Sequence, residues 1–88
     1  MTKRSKIEII KDILDIVNKN NNSIKITPLI RKSNLSTTRF NKYYGELITK
    51  GLLIEKIHSG RIISTTQKGL KYLEKYSTIV GFIEEFDL

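Results

Sequence analysis

The chain has 88 residues, a net charge of +7, 39% hydrophobic residues and no cysteine. That is room for one domain with one modest core, and it excludes a disulfide framework and any thiolate metal site. No apolar run approaches the roughly 20 residues of a membrane span, and the basic start at Met1–Lys6 leads into an amphipathic pattern rather than a continuous apolar stretch, so no signal peptide and a cytoplasmic protein are expected.

The charge is unevenly spread. Residues 25–56 hold seven Lys/Arg against two Asp/Glu, and residues 77–88 hold none against three. A basic surface attracts phosphate backbones without reading any base.

In chain order, Ser5 to Asn20 reads as a first helix. Ile9, Ile10, Ile13, Leu14, Ile16 and Val17 fall mostly at helical spacings. The polar run from Asn18 to Ser23 ends it. Ile24 to Ile26 alternates as one short strand. Thr27-Pro28 signals a second helix start, with Thr as N-cap and Pro at the first helical position. That helix runs from about Pro28 to Lys32, ended by Ser33 and Asn34, and Leu35 plugs the following turn into the core.

Ser36 caps a third helix, Thr37 to Lys50, closed by Gly51 in a left-handed conformation. Phe40, Tyr44, Leu47 and Ile48 form one apolar stripe. At about 100° per residue, the opposite face carries Thr38, Lys42, Gly45 and Thr49. Leu52–Ile57 and Arg61–Thr65 read as a hairpin turned by His58-Ser59-Gly60. Thr66 caps a fourth helix that runs to about Phe86. The whole is mainly α with a small β-hairpin, in the order α-(β)-α-α-β-β-α. That order is a winged helix-turn-helix, comprising residues 1–69 with a basic N-terminal arm, followed by a continuous C-terminal helix over residues 70–88.

A helix entering the major groove needs short polar or basic side chains on its N-terminal outer face. Ser36, Thr37, Thr38, Arg39, Asn41 and Lys42 meet that need. Arg39 suits guanine and Asn41 suits adenine. The two threonines suit phosphate or a thymine methyl, and Lys42 suits phosphate. The alternative is a cap followed by a solvated face. On the wing, Arg61 and, less directly, His58 are candidates for backbone or minor-groove contact. Arg31 and Lys32 either clamp phosphate or only complement the negative end of their own helix. Thr2 to Lys6 is either a phosphate-touching arm or a solvated start.

Leu73, Tyr76, Val80 and Ile83 are spaced 3, 4 and 3 apart, with Ile79, Phe82 and Phe86 beside them. This fits a short coiled-coil seam and predicts a homodimer through Leu73, Tyr76, Ile79, Val80, Ile83 and Phe86. The rival is a break near Ser77-Thr78 or Gly81, with the end folding back on the first helix.

The segment from Asn34 to Leu53, the hairpin, and the stretches TTQKGLKYLEKY and IVGFIEEF together resemble archaeal winged-helix DNA-binding proteins with a C-terminal antiparallel coiled-coil dimerisation helix. The resemblance covers about Lys6 to Phe86. It implies that Ser36 to Lys42 begin a recognition helix (36–50), that residues 56–63 form the wing with its tip at His58–Arg61, and that the helix from Thr66 makes the dimer. It further implies a transcriptional regulator or chromatin-associated protein, resident on the nucleoid. Gly45 departs from the charged residue more usual there.

Double-stranded DNA is therefore the expected partner. A winged-helix protein-interaction module without DNA binding is the second reading. One histidine, no cysteine and an acidic tail (Glu84, Glu85, Asp87) without metal-ligand spacing leave nothing for acid–base, nucleophilic or metal chemistry, so neither an enzyme nor a cofactor is expected. The acidic tail also disfavours an anionic membrane surface.

Overall fold

Residues 4–87 are described by a computed structural model. The elements are α1 (Lys6–Lys19), β1 (Ile24–Lys25), α2 (Ile26–Ser33), α3 (Thr37–Thr49), β2 (Leu53–Ile57), β3 (Arg61–Thr65) and α4 (Gln67–Glu85). The strands form one antiparallel sheet in the order β1-β3-β2. Ile24 pairs with Ile63, and Leu53, Glu55 and Ile57 pair with Thr65, Ile63 and Arg61. The expected fold class and element order are those observed.

Each helix begins where its sequence offers a cap, except α2. Ser5 and Glu8 form a capping box on α1, Ser36 accepts from the Arg39 amide, and Thr66 accepts from the Gly69 amide. The second helix starts earlier than Thr27-Pro28 suggests. Its N-cap is Lys25, with no side-chain cap, which places Pro28 third in the helix. Proline is harmless there because first-turn amides lack intrahelical acceptors.

The core lies where α1, α2, α3 and the sheet meet. Ile13, Leu14, Val17, Leu29, Phe40 and Ile63 are fully buried. Each such side chain stabilises by roughly 1.5–3 kcal/mol through burial. The stripe on α3 behaves as its spacing requires: Phe40, Tyr44 and Leu47 are buried and Ile48 packs half-buried on the cluster. Phe40 and Tyr44 stack with ring centroids 5.4 Å apart.

Two side chains tie loops to this frame. Asn22, at φ 55°, accepts through its side-chain oxygen from the Thr65 amide at 2.7 Å, anchoring the α1–β1 turn to the end of β3. The asparagine run is thus more than a helix stop. Gly69 sits where α4 crosses the chain leaving α3, and a Cβ there would collide with the Leu52 carbonyl oxygen.

From Arg4 onward the expected arm is not free. Arg4 pairs with Asp12 at 2.9 Å and donates to the Ser33 carbonyl at 3.0 Å, and Lys6 pairs with Glu46 at 2.8 Å. The remainder of the arm, at Thr2 and Lys3, lies outside the described residues. The fourth helix runs unbroken through Ser77-Thr78 and Gly81, so the fold-back alternative is excluded.

Candidate nucleic-acid interface

The turn between α2 and α3 is set by two residues. Asn34 takes the left-handed conformation at φ 59° that ends α2. Buried Ser33 donates to the Ile30 carbonyl at 2.6 Å, and Leu35 inserts half-buried against the core. These fix the angle at which α3 leaves, because the turn has both a hydrophobic anchor and its own hydrogen bonds.

With Phe40 and Tyr44 held inside, the outer side of α3 is fixed. Ser36, Thr37, Thr38, Arg39, Asn41 and Lys42 are all exposed, as are Arg31 and Lys32 at the end of α2. Among the described residues, no hydrogen bond or ion pair engages the side chains of Arg31, Lys32, Arg39, Asn41 or Lys42. The first turn of α3 contains no acid, so its positive helix end adds to these cations. The one acidic residue in α3, Glu46, is neutralised by Lys6 and Lys50 at 2.8 and 3.0 Å. These two lysines hold its carboxyl below the usual range. Gly45 lies on the same outer side with open space around the position a Cβ would take.

The wing is a different environment. Ser59 (φ 54°) and Gly60 (φ 117°) turn the hairpin, so the positive-φ burden falls on both and not on the glycine alone. Arg61, expected to project from the tip, is turned inward. Its Nε donates to Glu55 at 2.6 Å and its guanidinium lies 5.7 Å from the centre of the Tyr44 ring. The Tyr44 hydroxyl donates to the same carboxylate at 2.8 Å. Arg61 first, then Tyr44, hold the Glu55 carboxyl below its usual range. Burial, reinforced by Glu55, pushes the Tyr44 hydroxyl up to about 12.

This latch links the wing to α3, and it was not among the expected features. Its signal is in the hairpin register: with Ile57 opposite Arg61, Glu55 and Arg61 become diagonal neighbours on one face. His58 remains exposed at the tip, together with Lys56 and Ile57, the last 75% exposed.

Ser36, Thr37, Thr38, Arg39, Asn41 and Lys42 thus lie exposed at the start of α3, and Arg31 and Lys32 lie exposed in the last turn of α2 before it. It leaves His58 on the projecting wing and places Arg61 against Tyr44. No cluster of three or more His, Cys, Asp or Glu side chains among the described residues is arranged to hold a metal ion. No described helix is long and apolar enough to cross a membrane.

A protein family described as winged helix-turn-helix matches residues 3–83 of the chain. The fold is also similar to the crystal structure of Sso10a-2, a DNA-binding protein from Sulfolobus solfataricus, with TM-score 0.77 and 25% identity, covering 94% of this chain and 85% of that one. No curated protein matches.

Proposed function

The chain belongs to the winged helix-turn-helix family, and from that premise we propose that it binds double-stranded DNA as a dimer, in transcription or chromatin organisation. The carrying observation is the exposed, acid-free start of α3, where Arg39, Asn41 and Lys42 have no partner among the described residues and Arg31 and Lys32 lie exposed in the last turn of α2. In this reading α3 enters the major groove, and Arg39 and Asn41 face base edges. Ser36, Lys42, Arg31 and Lys32 meet phosphate. The wing follows the backbone or minor groove, with His58 and Lys56 leading and Arg61 reaching phosphate only on leaving Glu55. The DNA-binding character of the similar Sulfolobus protein supports this assignment.

The dimer runs through α4, but on a face shifted from the one the spacing suggests. Leu73 packs half-buried on the core and Val80 is half-buried near α1. Ile79, Phe82, Ile83 and Phe86 are 55%, 56%, 41% and 59% exposed and make up the apolar face, with Tyr76 at its edge. Such a contiguous apolar strip marks an association surface.

Fluorescence-anisotropy titration of duplex DNA with the Arg39→Ala/Lys42→Ala protein tests the DNA reading. A loss of roughly 1–3 kcal/mol is expected from Arg39 on its preferred sequence if it reads a base, with Lys42 adding a sequence-independent loss. Equal affinity of wild type and variant on every duplex would overturn it and favour a protein-docking role for the same face.

A further inference from the structure

Between α1, the end of α3 and the start of α4 lies an open groove of about 390 Å³. Its floor is apolar: Ile10, Leu47, Leu52 and Tyr72. The Tyr72 hydroxyl donates to the Ile7 carbonyl at 2.9 Å, so the ring is held in place and its polar end is already satisfied. The rim carries five lysines, Lys6, Lys50, Lys68, Lys71 and Lys75, against one acid, Glu46. Glu46 already serves Lys6 and Lys50, and Lys68 donates only to the neutral Lys50 carbonyl, at 2.7 Å. Lys71 and Lys75 have no partner among the described residues. Glu74, three residues on from Lys71, makes no ion pair with it and does not line the groove.

Lys68, Lys71 and Lys75 recur at helical spacing on one side of α4, so three ammonium groups without a carboxylate stand along one edge of an apolar floor. Like charges at such spacings repel, and an anion between them relieves that repulsion. The floor offers no free donor or acceptor, so it suits only a hydrophobic body. The volume falls in the range of small-molecule sites. None of Ile79, Phe82, Ile83 and Phe86 lines the groove, which separates it from the proposed dimer face.

We propose that this groove binds a small amphipathic organic anion, of the class of an aryl carboxylate. The apolar body lies on Ile10, Leu47, Leu52 and the ring of Tyr72. The carboxylate is met by Lys68, Lys71 and Lys75. The rim holds no arginine, so the head group is held by point charges and not by a planar fork. Burial of the body supplies most of the affinity, because each exposed lysine adds little by itself. The lysines supply selection for a negative head. The site uses none of the cations assigned to DNA, so it stands or falls apart from that reading. A bound anion also competes with Glu46 for Lys6 and Lys50.

Amide-resolved NMR of the full chain, titrated with β-naphthoate, tests this. The amides of Leu47, Leu52 and Tyr72 should shift and saturate with a dissociation constant on the order of 0.1 mM. β-Naphthalenemethanol, the same body without the charge, should bind about tenfold more weakly, and acetate, the head without the body, should give no saturable shift. Lys71→Gln/Lys75→Gln should weaken β-naphthoate about tenfold while leaving the rest of the spectrum in place, since both side chains are exposed. Shifts confined to Phe82, Ile83 and Phe86 would mean that the probe only coats the exposed apolar strip, and would overturn the site. Equal binding of the uncharged probe, or a double variant that binds as the wild type does, would overturn the role of the lysines. A groove that takes up no β-naphthoate, with its amides shifting on protein concentration alone, would assign it to a second copy and overturn the proposal.

Discussion

Arg61 shows how a single side chain can look like a contact in sequence and serve as a fastener in the fold. Its bond to Glu55 and its place over Tyr44 join β2, β3 and α3 at one point. Exposed ion pairs contribute little to stability, so the consequence to look for is orientation of the wing and not a large change in folding free energy. Replacing Glu55 with Gln removes the charge that competes with phosphate for this guanidinium. DNA affinity should rise, and the plot of log K against log salt should steepen by about 0.9, the increment for one further phosphate. An unchanged slope in anisotropy titrations would mean that Arg61 stays on Tyr44 in the complex. The hydroxyl of Tyr44 reports on the same latch. Its pKa is raised from 10.0 to about 12, so the stability it contributes is complete below pH 10 and drains away as pH climbs from 10 toward 12. In an ultraviolet titration of the four tyrosines, Tyr44 should ionise late, and Glu55→Gln should bring it earlier. The same ultraviolet titration on Tyr44→Phe identifies which step is lost.

Two helical glycines have opposite roles that spacing alone does not separate. Gly45 lies mid-helix in α3 with open space where a side chain would go. Gly69 lies in the first turns of α4 against the Leu52 carbonyl. Gly45→Ala should stabilise the fold by up to about 1 kcal/mol through helix propensity. If DNA backbone approaches there, the same change weakens binding; unchanged binding would place that part of α3 outside the groove. Gly69→Ala should destabilise by roughly 1–3 kcal/mol because the crossing must open. Thermal and urea unfolding of the two variants should therefore shift in opposite directions. The caps at Ser36 and Thr66 and the stripe from Phe40 to Leu47 were legible because each is a local pattern with a local cause. The start of α2 was not, because the cap signal at Thr27 gives way to packing of Leu29 and to strand pairing at Ile24, and the helix begins after Lys25 with no side-chain cap. The latch at Glu55 and the inward face of Leu73 escaped for a related reason. Both depend on which elements become neighbours: hairpin register for one, and α1 lying along α4 for the other.

At the scale of the molecule, the charge pattern separates into surfaces with different partners. The cations around the start of α3 are exposed and have no partner among the described residues, while Lys6 and Lys50 farther along are taken up by Glu46. Only the first group counts toward phosphate contacts in the proposed complex. With Arg31, Lys32 and Lys42 each neutralising one phosphate, the start of α3 gives a single head a log–log salt slope of about −2.7, and two heads on one duplex about −5.4. This gives a direct measure of whether the dimer works as a unit. Ile79→Asp places a carboxylate on the proposed apolar dimer face, where association would bury it against the partner. The variant should be monomeric yet retain the fold, because Ile79 is 55% exposed in the single chain. On a duplex long enough for both heads, the variant's slope should be about half that of the wild type. On a short duplex admitting one head, the two proteins should give the same slope. Equal slopes on the long duplex would mean that each head binds alone. The two-fold relation would then serve to bring separate DNA segments together, and light scattering from mixtures of the dimer with two unlinked duplexes would detect that bridging.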